Sequence, residues 1–488
     1  MPQSSGPNPS APCRFRTLAT SSRRRSLSMR RTSGNLLLYA LTLAVSIGVF
    51  FLIRFFGNSL VASGAPEPSK PAATGSSEIS STLMHLLLAL ALIIVVARIL
   101  GTLFRRLNQP RVVGEIVAGI LLGPSFFGWL APSVASQLLP AAISSYLALI
   151  SQLGVVLYMF LVGLELDTEL LRHRTTASIA ISHAGIVIPF LLGATLAVWL
   201  FPLYATRQIS LTVFALFIGV SMSITAFPVL ARILTDQGLQ KTPIGVLALT
   251  CAAIDDVTAW CLLALLVGVA HAQAGNALLT LLLAIGFILF VLLVASRGAR
   301  WLVRRQVANG HTTQEMFAMV CTALLLAALA TERIGIHSLF GAFLLGVVIP
   351  HDSELALDIR NRMQDLVVVL FLPAFFAFTG LRTHIGMVHC ARDLLACILI
   401  IAVASLGKFG GCFLAARWTG SPWREATAVG VLMNTRGLME LIVLNVGLDL
   451  GVLSPALFTM FVLMAVTTTL ATAPILHRLS DPQVSAMD

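Results

Sequence analysis

Three long stretches of this chain carry no charged side chain: none of Asp, Glu, Lys or Arg occurs between Glu115 and Glu165, between Arg174 and Arg207, or between Asp256 and Arg297. Each stretch exceeds the ~20 apolar residues that cross a bilayer. Over all 488 residues only 11% are charged and 57% are hydrophobic, against about 25% charge in soluble domains. The sequence therefore predicts an all-α polytopic membrane protein and argues against a soluble multidomain enzyme.

The net charge of +11 does not point to nucleic acid. Seven arginines precede Gly34 (Arg14, Arg16, Arg23, Arg24, Arg25, Arg30 and Arg31), and most of the remaining basic residues sit in short gaps between apolar runs. That is the pattern of cytoplasmic loops beside an anionic leaflet. The cysteines show no C-x-x-C and lie mostly inside apolar runs, so neither disulfides nor a zinc site is expected. No G-x-G occurs, which removes the nucleotide fingerprints and any basis for ATP-driven pumping by this chain. No cofactor is expected.

Residues 1–34 read as a disordered basic cytoplasmic tail and 35–56 as an extra apolar span, followed by a Ser/Pro/Ala/Gly linker over 57–81. The run 35–56 is longer than the usual h-region of a signal peptide, which favours a retained helix or signal anchor over a cleaved leader. Thirteen further apolar runs begin near Thr82, Val112, Ser144, Ser178, Ile209, Gly245, Ala277, Glu315, Ile336, Gln364, Leu394, Glu425 and Pro455. The expectation is about 13–14 transmembrane helices, a membrane domain over 82–476 and a short cytoplasmic tail over 477–488. Arginine is richer in alternate gaps (Arg105, Arg106 and Arg111; Arg297, Arg300, Arg304 and Arg305), which puts both termini in the cytoplasm. A weak internal repeat pairs Gly114 and Gly119 with Gly341 and Gly346, Gly163 with Gly380, and Thr225 with Thr435. An odd number of spans separates matching segments, so the halves are inverted in the membrane, as in many secondary transporters.

Ionisable residues inside spans carry the functional information, because each is costly there unless paired or hydrated. Asp255 and Asp256 lie mid-span, and on a helix they point ~100° apart, so they meet different neighbours. Asp is a hard oxygen ligand suited to a small cation, and a desolvated carboxylate also takes up a proton. One such group binds cation or proton but not both, which is antiport in its simplest form. Lys408 is one of three lysines in the chain, beside Lys70 and Lys241, and lies near the centre of its run. Lysine can lose its proton when buried, so an Asp–Lys pair is one reading and a snorkelling lysine the other. Pro228 removes a backbone donor opposite the carbonyl of Ile224, beside Ser223 and Thr225; this implies either unwound backbone facing a cavity or a repaired proline kink. Arg436 and Glu440 are spaced to pair as i, i+4 and to brace a broken helix.

On Gly114-Glu-Ile-Val-Ala-Gly-Ile-Leu-Leu-Gly-Pro124, Met222-Ser-Ile-Thr-Ala-Phe-Pro-Val-Leu-Ala-Arg232, Asp255-Asp256 and Asn434-Thr-Arg-Gly-Leu-Met-Glu440, the chain resembles the monovalent cation:proton antiporter-2 family from about Thr82 to Ile475. The resemblance implies a homodimer in the bacterial inner membrane, each protomer with a dimerisation domain and a mobile core. Two discontinuous helices would cross in the core, one around Thr225 and Pro228, the other around Thr435 and Gly437. Asp256 would bind the transported Na⁺ or K⁺, with Thr225 and the carbonyl of Ile224 nearby. Asp255 would pair with Lys408, as in electrogenic members, with Arg436 and Glu440 as supporting charges. The chain ends soon after its last span, without the C-terminal nucleotide-binding domain of glutathione-gated potassium-efflux members. The implied activity is exchange of a monovalent cation for H⁺ by alternating access. The alternatives are a potassium-efflux or channel-like cation transporter and a sodium-coupled solute symporter. An intramembrane aspartyl protease is disfavoured, because adjacent carboxylates on one helix cannot readily face each other to share a proton.

Overall fold

A computed structural model of the chain describes residues 76–166, 176–206, 209–271 and 277–480. The basic tail, the run 35–56, nearly all of the linker and the end of the C-terminal tail lie outside them. The described residues fold into α-helices joined by short turns: α1 (Ser76–Arg106), α2 (Arg111–Leu122), α3 (Ser144–Glu165), α4 (Thr176–Tyr204), α5 (Leu211–Ser223), α6 (Phe227–Asp236), α7 (Pro243–His271), α8 (Ala277–Phe290), α9 (Ser296–Asn309), α10 (Gln314–Ile334), α11 (Ser338–Val347), α12 (Glu354–Leu366), α13 (Leu372–Leu381), α14 (Ala391–Trp418), α15 (Trp423–Met433), α16 (Leu438–Asp449) and α17 (Pro455–Ser480).

All thirteen apolar runs from Thr82 onward are helical, but not all cross a membrane. Eleven spans are long and apolar enough by themselves, and α15 and α16 make a twelfth, bent by 41° at its break. The remaining run, α11, has ten residues. At 1.5 Å per residue it reaches about half the hydrocarbon thickness. Gly335, with φ of +89°, closes the chain before it, and Pro350 stops it from continuing. The expected span at Ile336 is therefore a half-span.

The helices sort into two bundles. One packs α2 between α1 and α13, with α3 against α11 and α13 and α10 against α11. The other gathers α4, α5 and α7 with α14, α15 and α17. Glycines set the first bundle. A Cβ on Gly119 of α2 would lie 2.0 Å from the carbonyl oxygen of Phe376 in α13, and one on Gly380 would meet the oxygen of Gly119 at 2.0 Å. In the other half of the repeat, a Cβ on Gly346 would meet Phe160 O of α3 at 2.3 Å, and one on Gly163 would meet Phe343 O at the same distance. Backbones this close admit no side chain, so the repeated glycines are the contact itself. The repeat is swapped across the molecule: the first half's Gly119 packs near the second half's Gly380, and the second half's Gly346 near the first half's Gly163.

Candidate ion-binding site

The second bundle contains the two discontinuous helices. α5 ends at Ser223, residues 224–226 are extended, and α6 restarts at Phe227 with Pro228 in its first turn. There the proline's missing N–H costs nothing, since first-turn donors have no helical partner. Of the two readings of Pro228, the structure shows the unwound one. α15 ends at Met433 and α16 restarts at Leu438. Gly437 between them has φ of 163°, extended backbone open to any residue; its lack of a side chain matters because a Cβ would sit 2.9 Å from Val229 Cγ2 of α6.

The two breaks cross and join. The amide of Ala226 donates to Thr435 O at 2.9 Å. The Thr225 hydroxyl lies 3.1 Å from Met433 O and 3.0 Å from Asp255 Oδ2, and with one proton it donates to one of them at a time. Breaking α5 orphans its last carbonyls at the negative end of the helix dipole. Two cations take them: Arg436 donates from Nη1 to Ser221 O at 2.9 Å and from Nη2 to Met222 O at 2.6 Å, and Lys408 donates to Ser223 O at 2.5 Å. Arg436 also pairs with Glu440 at 3.0 Å, both side chains fully buried. Arg436 thus belongs to one broken helix and caps the other.

The adjacent aspartates of α7 have opposite surroundings. Asp255 is saturated: Ser182 of α4 donates to Oδ1 at 2.5 Å, and Lys408 of α14 to Oδ2 at 2.7 Å. Lys408 completes its three donors with Gly185 O at 2.8 Å. Asp256 is 2% exposed, and neither of its oxygens has a hydrogen-bond partner among the described residues. The amide of Phe227, at the positive end of α6, faces the carboxylate without completing a hydrogen bond. Nearby at the breaks, the buried side-chain oxygens of Ser221, Asn434 and Thr435 are likewise unpartnered among the described residues. Ile224 is buried in the extended segment.

A bare carboxylate in such a place is expensive as an anion, and either a proton or a metal cation relieves it. The local donor set is all oxygen, which fits a hard monovalent ion. The structure brings together Asp255, Lys408, Thr225 and Ser223, and separately Arg436, Glu440 and Ser221. Ser182 and Gly185 have little signal in the sequence beyond Ser178, Ser182 and Gly185 at i, i+4 and i+7 in a mostly apolar helix. His183 of α4 faces outward, its ring bonded to Ile179 O at 2.8 Å. Glu115 of α2 is 4% exposed.

Comparison with known proteins bears on the family and the fold. A family model described as "Sodium/hydrogen exchanger, transmembrane" matches residues 91–478. The chain is 43% identical over 402 residues to the Na(+)/H(+) antiporter NhaS4 of Synechocystis, covering 82% of this chain and 98% of that one. It is 39% identical to cation/H(+) antiporter 17 of Arabidopsis thaliana, over 86% of this chain and 51% of that one. It is 35% identical to K(+)/H(+) antiporter 1 of Saccharomyces cerevisiae, over 81% of this chain and 46% of that one. The chain thus spans about half the length of the plant and yeast relatives. In fold it is similar to the sodium proton antiporter MjNhaP1 of Methanocaldococcus jannaschii, with a TM-score of 0.60 at 14% identity, covering 81% of this chain and 99% of that one.

Proposed function

Because the chain belongs to the sodium/hydrogen exchanger family, we propose that it exchanges a monovalent cation, Na⁺ or K⁺, for H⁺ across a membrane, with Asp256 as the carrying carboxylate. The observation that carries this reading is the contrast inside one dipeptide. Asp255 is fully bonded and Asp256 has no hydrogen-bond partner among the described residues, so Asp256 is the group left to take up an ion.

Proton and cation then compete for one anion, and only the neutralised carboxylate passes the apolar interior, because the bare one is too costly to move. Coupling follows from that restriction alone. Phe227's amide and the dipole of α6 hold the Asp256 anion while it waits for its cation; Thr225, Ile224 and Thr435 supply oxygens from the crossing. Lys408 keeps Asp255 occupied and fixes the end of α5; an Asp–Asp pair with a lysine resembles the pattern of electrogenic members, and on that resemblance we extend the proposal to more than one proton per cation. The driving force suffices: each pH unit supplies about 1.36 kcal/mol per proton and each net charge gains ~2.3 kcal/mol per 100 mV. The sealed carboxylate suits a carrier that closes over its ion better than an open channel. We further place the protein in the bacterial inner membrane with both termini cytoplasmic, on the arginine bias of its loops and its likeness to the Synechocystis relative, and read it as a homodimer on the family resemblance of its motifs.

The test is a proteoliposome assay with an enclosed pH dye, titrating Na⁺, K⁺ and Li⁺ separately. Cation-dependent proton movement is expected for one or more of them and its loss in Asp256→Asn. Exchange at the unaltered rate in that variant would remove Asp256 from the mechanism; flux indifferent to an imposed pH gradient would indicate a channel.

A further inference from the structure

The two bundles touch sparsely apart from α17 against α2. Beside Phe375 and Phe378 on α13 and Ile442 and Val446 on α16, a cleft of about 310 Å³ separates them, with Gln152, Glu332, Asn445 and Asp449 also in its wall. Two hydrogen bonds reach α17 across this boundary, Gln109 Nε2 to Leu470 O at 3.1 Å and His384 N to Thr459 Oγ1 at 3.1 Å; at α16 a strip of four polar side chains bridges it. Thr379 and Arg382 stand one turn apart on or just after α13, which packs on α2 and α3; Asn445 and Asp449 stand one turn apart on α16, which packs on α5 and α17. Asn445 Nδ2 donates to Thr379 Oγ1 at 2.9 Å and to Leu441 O of its own helix at 2.9 Å. Arg382 donates from Nη1 to Asn445 Oδ1 at 3.1 Å and from Nη2 to Asp449 Oδ1 at 2.5 Å. The guanidinium carbon lies 4.6 Å from the centroid of the Phe378 ring, which fixes the arginine against its own bundle.

Two features set this strip apart from ordinary packing. First, its inner members are buried, Asn445 at 6% and Thr379 at 2% exposure, so the hydrogen bonds must be replaced by others, or by water, whenever the bundles separate. Second, its outer member is an ion pair with side chains 28% and 43% exposed, and pairs at that exposure are weak enough to open repeatedly. Apolar surfaces slide over one another, whereas a directional hydrogen bond is either made or broken. The strip therefore behaves as a two-state contact. It also acts on the ion site, because α16 is the second half of the broken helix whose first half and break carry Met433, Thr435 and Arg436.

We propose that Thr379 and Arg382 of one bundle and Asn445 and Asp449 of the other form a latch that holds this conformation and opens once in every transport cycle. The inference rests on the antiport reading and assigns these four residues to the rate of the bundle movement, not to ion binding.

The closing experiment uses the full chain in proteoliposomes. Thr379→Cys/Asn445→Cys, joined by a short bifunctional thiol reagent, should lose cation-dependent proton flux at least tenfold and regain it on reduction. Wild type treated in parallel controls for native thiols such as the exposed Cys261. Fully cross-linked carrier that transports at the unlinked rate overturns the latch. Should the double cysteine variant fail to fold, charge reversal decides: Arg382→Asp and Asp449→Arg singly should each change kcat at least threefold with the cation KM within twofold, and the two together should return kcat toward wild type. A double variant no closer to wild type than the singles overturns the proposal. Loss of exchange in Asp256→Asn, measured alongside, separates the two failures: if exchange still depends on Asp256, only the latch falls.

Discussion

Asp255 and Asp256 are neighbours in the chain, yet one sits on the Lys408 side of α7 and the other on the side facing the start of α6. On the Lys408 side every donor and acceptor is matched: three acceptors for the ammonium, and Ser182, Lys408 and Thr225 around the carboxylate. On the Phe227 side a carboxylate is buried with no hydrogen-bond partner among the described residues. The ~100° rotation between consecutive helical residues is enough to separate them. A satisfied buried charge organises its surroundings and resists change; an unsatisfied one stores a demand for a partner. The molecule places the first kind where two helices must be held and the second where an ion must come and go.

The sharpest way to break that comparison is to neutralise each carboxylate in turn. Asp256→Asn should abolish exchange, a drop of more than 100-fold, while the thermal midpoint in detergent moves little, because no bond is lost. Asp255→Asn should do the converse first. It strands the Lys408 ammonium, and removing one member of a buried pair typically costs about 3–5 kcal/mol; thermal unfolding should show a large loss of stability. Lys408→Met combined with Asp255→Asn should recover much of it, with a coupling energy well outside additive error. If Asp255→Asn proves as stable as wild type, the two sides of α7 are not different in kind.

A second prediction sharpens the functional half. If proton and cation share only Asp256, acid should act as a competitive inhibitor of cation transport. The apparent cation KM should rise toward tenfold per unit fall in pH at the acid end, with the maximal rate little changed. A fall in maximal rate at constant KM would mean that protons act elsewhere.

Much of this was legible in one dimension because it repeats at helical spacing. The apolar runs gave the helices, the repeat marked Gly119, Gly163, Gly346 and Gly380 without saying which backbones they meet, and the i, i+4 spacing gave Arg436 with Glu440. What could not be read were contacts that join distant turns. Lys408 and Asp255 are 153 residues apart, and Arg436 reaches Ser221 across 215; no local spacing encodes either. The half-length of α11 was missed for another reason. Hydropathy sees the apolar residues 338–349 together with their apolar flanks, but the positive φ of Gly335 and the stop at Pro350 are backbone events that barely alter the average. The resemblance of motifs bridged part of that gap, by assigning Lys408 to Asp255, but it said nothing of Ser182.

The smallest expected effects test whether saturation itself matters. Gly119→Ala forces a methyl against a backbone oxygen that a Cβ would approach to 2.0 Å, and overpacking of that kind costs about 1–3 kcal/mol. It should lower stability without touching the cation KM, since the atoms that methyl meets belong to Phe376 and Ala377 of α13 and not to α7. Ser182→Ala is gentler. It removes one of three donors to Asp255 and leaves Oδ1 without its partner, a loss of about 1–3 kcal/mol. If Asp255 is purely an organiser, this variant should lose a little thermal stability and keep its ion selectivity. If the selectivity among Na⁺, K⁺ and Li⁺ shifts instead, Asp255 takes part in the ion's coordination, and the division between a holding carboxylate and a carrying one must be redrawn to include both.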